Sequence, residues 1–307
     1  MSNKIEEIKK EISKVVIGQN QMIDGLLAGI LTGGHILLEG VPGLAKTTAV
    51  NTMAKTLNLD FKRVQFTPDL LPSDIIGAEI YDPKTNEFKI KKGPIFTNIL
   101  LADEINRAPA KVQSALLEVM QERQATIGDK SFAIDKPFLV LATQNPVEQE
   151  GVYNLPEAQL DRFMLKVKVG YNTKEEELEI AKRVANNSFE QVNAVATKED
   201  IFAMREEVKN IHIDKELEEY MIELIFATRK NNENLQYGAS PRASIDLFKA
   251  SKAYAYIHKK DFVSPSDIAR AAKDVLRHRL ILSYEGEASG ISSDDIINKI
   301  LSGVAIP

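Results

Sequence analysis

Five short apolar runs alternate with helical patterns over the first 170 residues: HILLEG (His35–Gly40), FKRVQFT (Phe61–Thr67), ILLADE (Ile99–Glu104), FLVLATQN (Phe138–Asn145) and FMLKVKV (Phe163–Val169). Neighbouring strands that run in parallel need a crossover, and an intervening helix supplies it. ILLAD and FLVLAT barely alternate apolar with polar residues, as expected of central strands covered on both faces. The pattern predicts an α/β domain with a central parallel five-stranded sheet over residues 1–170.

After Gly170 the pattern turns helical, which predicts a smaller helical domain over residues 171–307. Thr173 followed by Glu176 reads as a capping box. Ser240-Pro241 and Ser264-Pro265 each place an N-cap serine before a first-turn proline. Two segments interrupt the α/β part. EIYDPKTNEFKIKKGP (Glu79–Pro94) and ATIGDKSFAI (Ala125–Ile134) read as hairpins that project from the core, where insertions often carry function.

Composition narrows the chemistry. The 307-residue chain has no cysteine, which excludes disulfides, thiolate nucleophiles and cysteine-ligated zinc. Its formal net charge of -5 excludes coating nucleic acid by bulk charge, though not a local basic patch. MSNKIEEIKKEISKVV reads as an amphipathic helix rather than a signal peptide. The most apolar runs, Gly25–Leu31 and Ile95–Ala102, fall far short of the roughly 20 residues of a membrane span. The expected location is cytoplasmic, with any membrane contact made only indirectly through a partner.

Four sites in the α/β part carry polar residues at strand ends or turns. GVPGLAKTTAV (Gly40–Val50) follows a strand and precedes a helix. It matches a phosphate-binding loop except that Ala45 replaces the glycine before Lys46. Backbone N–H groups and the helix N-terminus would hold phosphates, with Lys46 on the terminal ones and the Thr47 hydroxyl on Mg²⁺. Alanine is expected to fit at position 45 because the helix start requires only a negative φ. ILLADE ends in Asp103-Glu104 at the carboxyl edge of the sheet, where ligands bind. Asp103 could hold Mg²⁺ and Glu104 could deprotonate a water, although such a pair also serves as a helix cap. Asn145 ends LATQNP, either to hold water or phosphate or simply to form an Asn-Pro turn. LPEAQLDRF carries Arg162 beside Asp161.

The helical part adds GASPRAS, which sets Arg242 in the first turn of a helix. A cation there opposes the helix dipole and calls for a compensating anion, which a nucleotide phosphate would supply. The four histidines show no metal-ligand spacing and read as structural or solvent-facing. The basic stretch KIKK (Lys89–Lys92) beside Phe88 reads first as a solvated hairpin face and second as a contact for nucleic acid or peptide.

Taken in order, these elements resemble the AAA+ ATPases. Within them, GVPGLAKT, the ADEINRAP block, EQEGVYNLPEAQLDRF and GASPRAS resemble the MoxR family. The resemblance covers nearly the whole chain and implies an AAA+ P-loop NTPase domain with two hairpin insertions and a C-terminal helical lid. It implies ATP and Mg²⁺ as cofactors, held by Gly40, Val41, Pro42, Gly43, Leu44, Ala45, Lys46, Thr47 and Thr48. It assigns the metal to Thr47 and Asp103, the catalytic base to Glu104 and the two sensors to Asn145 and Arg242. Arg162 would be an arginine finger reaching into a neighbouring subunit. VVIGQ, with Ile17 and Gly18, would lie against the adenine. The implied protein is a homo-oligomer, a hexameric ring, that remodels protein partners bearing von Willebrand factor A domains. An AAA+ motor on nucleic acid is the alternative.

Overall fold

The computed structural model describes residues 4–146, 153–230 and 232–307. The segment Glu148–Val152 of the EQEGVYNLPEAQLDRF motif and the first three residues of the N-terminal pattern lie outside the described residues.

The chain opens with α1 (Lys4–Ser13), α2 (Asn20–Thr32), β1 (Ile36–Glu39), α3 (Lys46–Thr56), β2 (Phe61–Gln65) and α4 (Pro72–Ile76). A hairpin of β3 (Gly77–Asp82) and β4 (Glu87–Lys92) leads to β5 (Ile99–Asp103) and α5 (Ala110–Glu122). A second hairpin, β6 (Gln124–Ile127) and β7 (Lys130–Ala133), leads to β8 (Leu139–Gln144), α6 (Glu157–Leu160) and β9 (Leu165–Lys168). Both expected hairpins are present, each an antiparallel pair.

Five strands form one sheet in the order β2-β5-β8-β1-β9, and every neighbouring pair in it is parallel. These are the five runs read from the sequence. Successive side chains of the inner strands enter opposite cores. Ile36, Leu38, Leu101 and Leu141 join a core with α1, α2 and α3. Leu37, Leu100, Ala102, Val140 and Ala142 join a second core with α5. Each strand feeds two hydrophobic layers, so β5 and β8 show no alternation. The edge strand β2 is different: Lys62, Arg63 and Gln65 are exposed.

The remaining part is mostly helical, with α7 (Lys174–Ala185), α8 (Lys198–Lys209), α9 (Lys215–Ala227), α10 (Pro241–Ile257) and α11 (Pro265–Leu276), then α12 (Tyr284–Ala288) and α13 (Ser293–Gly303). A short antiparallel pair, Leu235–Tyr237 with Ile281–Leu282, lies among them. Thr173 caps α7 in a capping box with Glu176, as read from the sequence. At α11, Asp267 accepts a hydrogen bond from the Ser264 backbone N–H. Ser240 precedes α10 as expected, but its hydroxyl makes no cap and instead donates to the Asp161 carboxylate at 3.0 Å. Among the described residues, no helix is long and apolar enough to cross a membrane.

Candidate active site

The loop between β1 and α3 bends back over the carboxyl edge of the sheet. Two glycines make the bend possible. A Cβ on Gly40 would fall 2.7 Å from the Val169 carbonyl, so only glycine allows the loop to leave β1 this close to the strand beside it. Gly43 has φ +87°, a conformation that side chains rarely adopt, and open space surrounds it.

Ala45 corrects the expectation of a negative φ. Its φ is 56° and its ψ 21°, in the left-handed region, and the helix begins only at Lys46. The position takes the conformation glycine favours, and alanine holds it at a cost of about 1–2 kcal/mol. Ala45→Gly relieves that cost but gives the unfolded chain more freedom, a loss of about 0.4–1 kcal/mol. The variant is therefore expected to melt at or slightly above the wild-type temperature. A clear drop in Tm by calorimetry would show that the loop does not hold this conformation.

Ala45 offers no side-chain cap to α3, which leaves the first-turn N–H groups for an anion. The Lys46 ammonium donates to the carbonyls of Gly40 and Val41 and so lies along the loop. Burial pushes its pKa below the ordinary lysine value, and the Asp103 and Glu104 carboxylates oppose that shift. Pro42–Thr48, Arg63, Asp103, Glu104, Thr143 and Asn145 line one cavity of about 450 Å³. The structure thus brings together Lys46, Thr47, Asp103, Glu104 and Asn145 from separate strand ends. A loop of backbone donors, a lysine and two hard oxygen donors, the Thr47 hydroxyl and the Asp103 carboxylate, fit a magnesium-bound nucleotide.

The acidic pair is held from both sides. Thr143, at the end of β8, donates its hydroxyl to Asp103 Oδ1 at 2.6 Å and accepts the Glu104 backbone N–H at 2.8 Å. Glu104 itself is left-handed, with φ 56°, and leads into a short 3₁₀ turn at Ile105–Arg107. Gln65 Nε2 donates to Glu104 Oε2 at 2.6 Å, and Arg107 lies 3.2 Å from the same oxygen. Arg63 donates to Asp103 Oδ2 from Nε at 2.9 Å and from Nη2 at 2.6 Å. The reading of FKRVQFT as a plain strand missed Arg63 and Gln65. Their polar i, i+2 spacing is visible in the sequence, but the adjacency of β2 to β5 that gives it meaning arises only in the folded sheet.

Six of the expected residues do not line this cavity. Gly40 and Val41 contribute carbonyls to Lys46 but do not line the cavity. Ile17 and Gly18 pack against the segment after β9: Asn172 donates to the Ile17 carbonyl at 2.9 Å, and a Cβ on Gly18 would strike Glu176. Arg162 and Arg242 line a different cavity, together with His35, Arg123, Asp246 and Lys249. The anion that offsets Arg242 is Asp161, whose carboxylate lies 3.4 Å from Nη1 and whose carbonyl accepts from it at 3.2 Å.

Of the remaining candidates, His35 is buried, and burial pushes its pKa down to about 4. It accepts from the Val140 N–H and bonds the Met120 carbonyl, a structural role. In the basic hairpin stretch, Lys89 pairs with Asp82 at 2.5 Å, and Lys92 lies 4.8 and 4.9 Å from the ring centres of Phe96 and Phe132.

Comparison with known proteins agrees with this layout. Residues 35–165 match the ATPase family associated with various cellular activities, and residues 227–300 match an AAA lid domain. Chaperone MoxR1 of Mycobacterium tuberculosis is 47% identical over 305 residues, covering 97% of this chain and 81% of that one. Protein YeaC of Bacillus subtilis is 46% identical over 299 residues, covering 97% of this chain and 93% of that one. A crystal structure of a Cytophaga hutchinsonii protein superposes with a TM-score of 0.93 at 56% identity, covering 99% and 95% of the two chains. The chain belongs to the MoxR family of AAA+ ATPases.

Proposed function

We propose that the protein hydrolyses ATP with Mg²⁺ to drive chaperone-like remodelling of partner proteins, as a hexameric ring in the cytoplasm. The single observation that carries the ATPase chemistry is the meeting of Lys46, Thr47, Asp103, Glu104 and Asn145 around one cavity. In this reading the loop N–H groups and Lys46 bind the phosphates, and Thr47 and Asp103 hold the metal, which would neutralise developing charge on the phosphates. Glu104 takes the proton of the attacking water, and Asn145 orients that water. Residues 1–170 form the nucleotide-binding domain and 171–307 the lid.

The placement of Arg162 and Arg242 supports assembly. Both line a cavity other than the one around Lys46, and Asp161, beside Arg162, ties that turn to Ser240 and Arg242 at the start of α10. Arg162, as the finger, would serve a neighbour's cavity, which makes turnover a property of the ring, while Arg242 keeps the sensor role of the lid. The relative named a chaperone supports a protein substrate. Partners with von Willebrand factor A domains follow from the family resemblance, and any membrane contact runs through them.

Assembly is testable by dilution. Specific activity should rise with protein concentration and reach a plateau as the ring forms. Arg162→Ala should leave nucleotide affinity within about twofold of wild type yet reduce turnover roughly a hundredfold or more at the plateau. A flat profile across the concentrations where light scattering sees assembly would remove the in-trans role.

A further inference from the structure

Arg63 has no part in the roles assigned above, yet it lines the same cavity as Lys46, Thr47 and Glu104. It projects from the edge strand β2, two residues before Gln65, which pairs in register with Asp103. Nε and Nη2 grip one carboxylate oxygen of Asp103, Oδ2, and Nη2 also donates to Gln65 Oε1 at 3.0 Å. The other oxygen, Oδ1, is taken by the Thr143 hydroxyl. Both oxygens of Asp103 are therefore engaged within the protein. The Asp103 side chain is 14% exposed, whereas that of Arg63 is 48% exposed. The carboxylate is fixed, and the guanidinium beside it has room to swing away.

We propose that Arg63 is a displaceable cation that stands on Asp103 until a divalent ion arrives, and so sets how readily the site takes its metal. The proposal rests on reading Asp103 as the metal-holding carboxylate. Two neighbouring carboxylates, Asp103 and Glu104, repel each other and repel phosphate. Arg63 offsets that repulsion when no metal is present. A divalent ion must then compete for Oδ2, the oxygen that Thr143 leaves to it. Arg63 is a positioning residue in this scheme: it acts on Asp103 and shapes the field in the cavity.

The scheme predicts two shifts in opposite directions on removing the charge. Without Arg63, Asp103 takes metal more readily, and phosphate meets an uncompensated acidic pair. A half-exposed ion pair is worth about 1 kcal/mol, which sets the scale at roughly fivefold.

The test is equilibrium binding of a fluorescent, non-hydrolysable ATP analogue, titrated with Mg²⁺, for the full chain. Arg63→Gln should lower the half-saturating Mg²⁺ concentration about fivefold and weaken metal-free binding of the analogue by a similar factor. Arg63→Lys keeps the charge but loses the two-pronged grip, so its Mg²⁺ shift should fall between Arg63→Gln and wild type. If neither variant lowers the half-saturating Mg²⁺ concentration, the proposal is overturned. Asp103→Asn separates the two levels of the argument, because it should abolish the Mg²⁺ dependence altogether. Wild-type dependence in Asp103→Asn would overturn the assignment of Asp103 and the proposal with it. Wild-type dependence in the Arg63 variants alone would overturn only the role of Arg63.

Discussion

Replacing Glu104 with glutamine leaves nucleotide binding intact and cuts ATP turnover by about a hundredfold or more, the scale of a lost general base. Glutamine has the same shape and can keep a hydrogen bond to Gln65, which now donates to Glu104 Oε2 at 2.6 Å. The backbone, held left-handed at φ 56° by the Thr143 hydroxyl on the Glu104 N–H, has no reason to move. What disappears is the proton-accepting capacity, together with the charge that faces Arg107. Binding of a fluorescent ATP analogue and release of phosphate measure the two halves of this expectation. Turnover within about threefold of wild type would show that another group takes the proton. The same variant, held in its ATP state, is the reagent with which to capture a remodelled partner by affinity purification. Recovery of a von Willebrand factor A domain protein, absent when Lys46→Ala is used instead, would support the proposed partner class.

Most of the scaffold under Glu104 was legible in the sequence, for a physical reason. A strand buried on both faces is apolar at nearly every position, and ILLAD and FLVLAT, short and bounded by turn residues, fit that pattern. The loop was legible because a phosphate cradle needs particular residues at fixed spacing. Both signals are local. The missing parts are lateral. Arg63 and Gln65 act on Asp103 and Glu104 because β2 lies beside β5, an adjacency created by the order β2-β5-β8-β1-β9. No window of sequence contains that order. Ala45 shows a different failure. Propensity argues against a left-handed alanine, but the loop's ends are fixed by β1 and α3, and tertiary geometry overrides local preference. Arg242 calls for an anion, expected from the sequence to be a nucleotide phosphate, and the fold instead supplies Asp161 from 81 positions away.

Asp161 leads to the largest expected effect on stability, at a residue that no motif marks. Arg279→Ala should destabilise the fold by about 3–5 kcal/mol, the usual consequence of removing one partner of a buried charge network. The Arg279 side chain is 1% exposed. Its guanidinium donates to Asp161 Oδ1 at 2.7 Å, to Asp246 Oδ2 at 2.6 Å, and to the carbonyls of Phe163 and Val275, both at 2.9 Å. It joins the β9 approach to α10 and α11, so its loss orphans groups on three segments. The effect carries a pH signature. Burial holds the Asp246 carboxyl above its ordinary pKa, and Arg279 opposes that shift. Without the arginine the folded-state pKa rises further. A carboxyl whose folded pKa lies above its unfolded value favours the fold when protonated and loses that contribution as pH rises through the folded pKa. The deficit of Arg279→Ala should therefore be greatest at neutral pH and shrink as acidification protonates Asp246. Urea unfolding at neutral and mildly acidic pH measures both the size and the trend. The double variant Arg279→Met with Asp246→Leu should recover much of the loss, since apolar pairs often replace buried ion pairs with little cost. A deficit under about 1 kcal/mol at neutral pH, or one that grows on acidification, would mean that Asp246 does not depend on Arg279 for its charge.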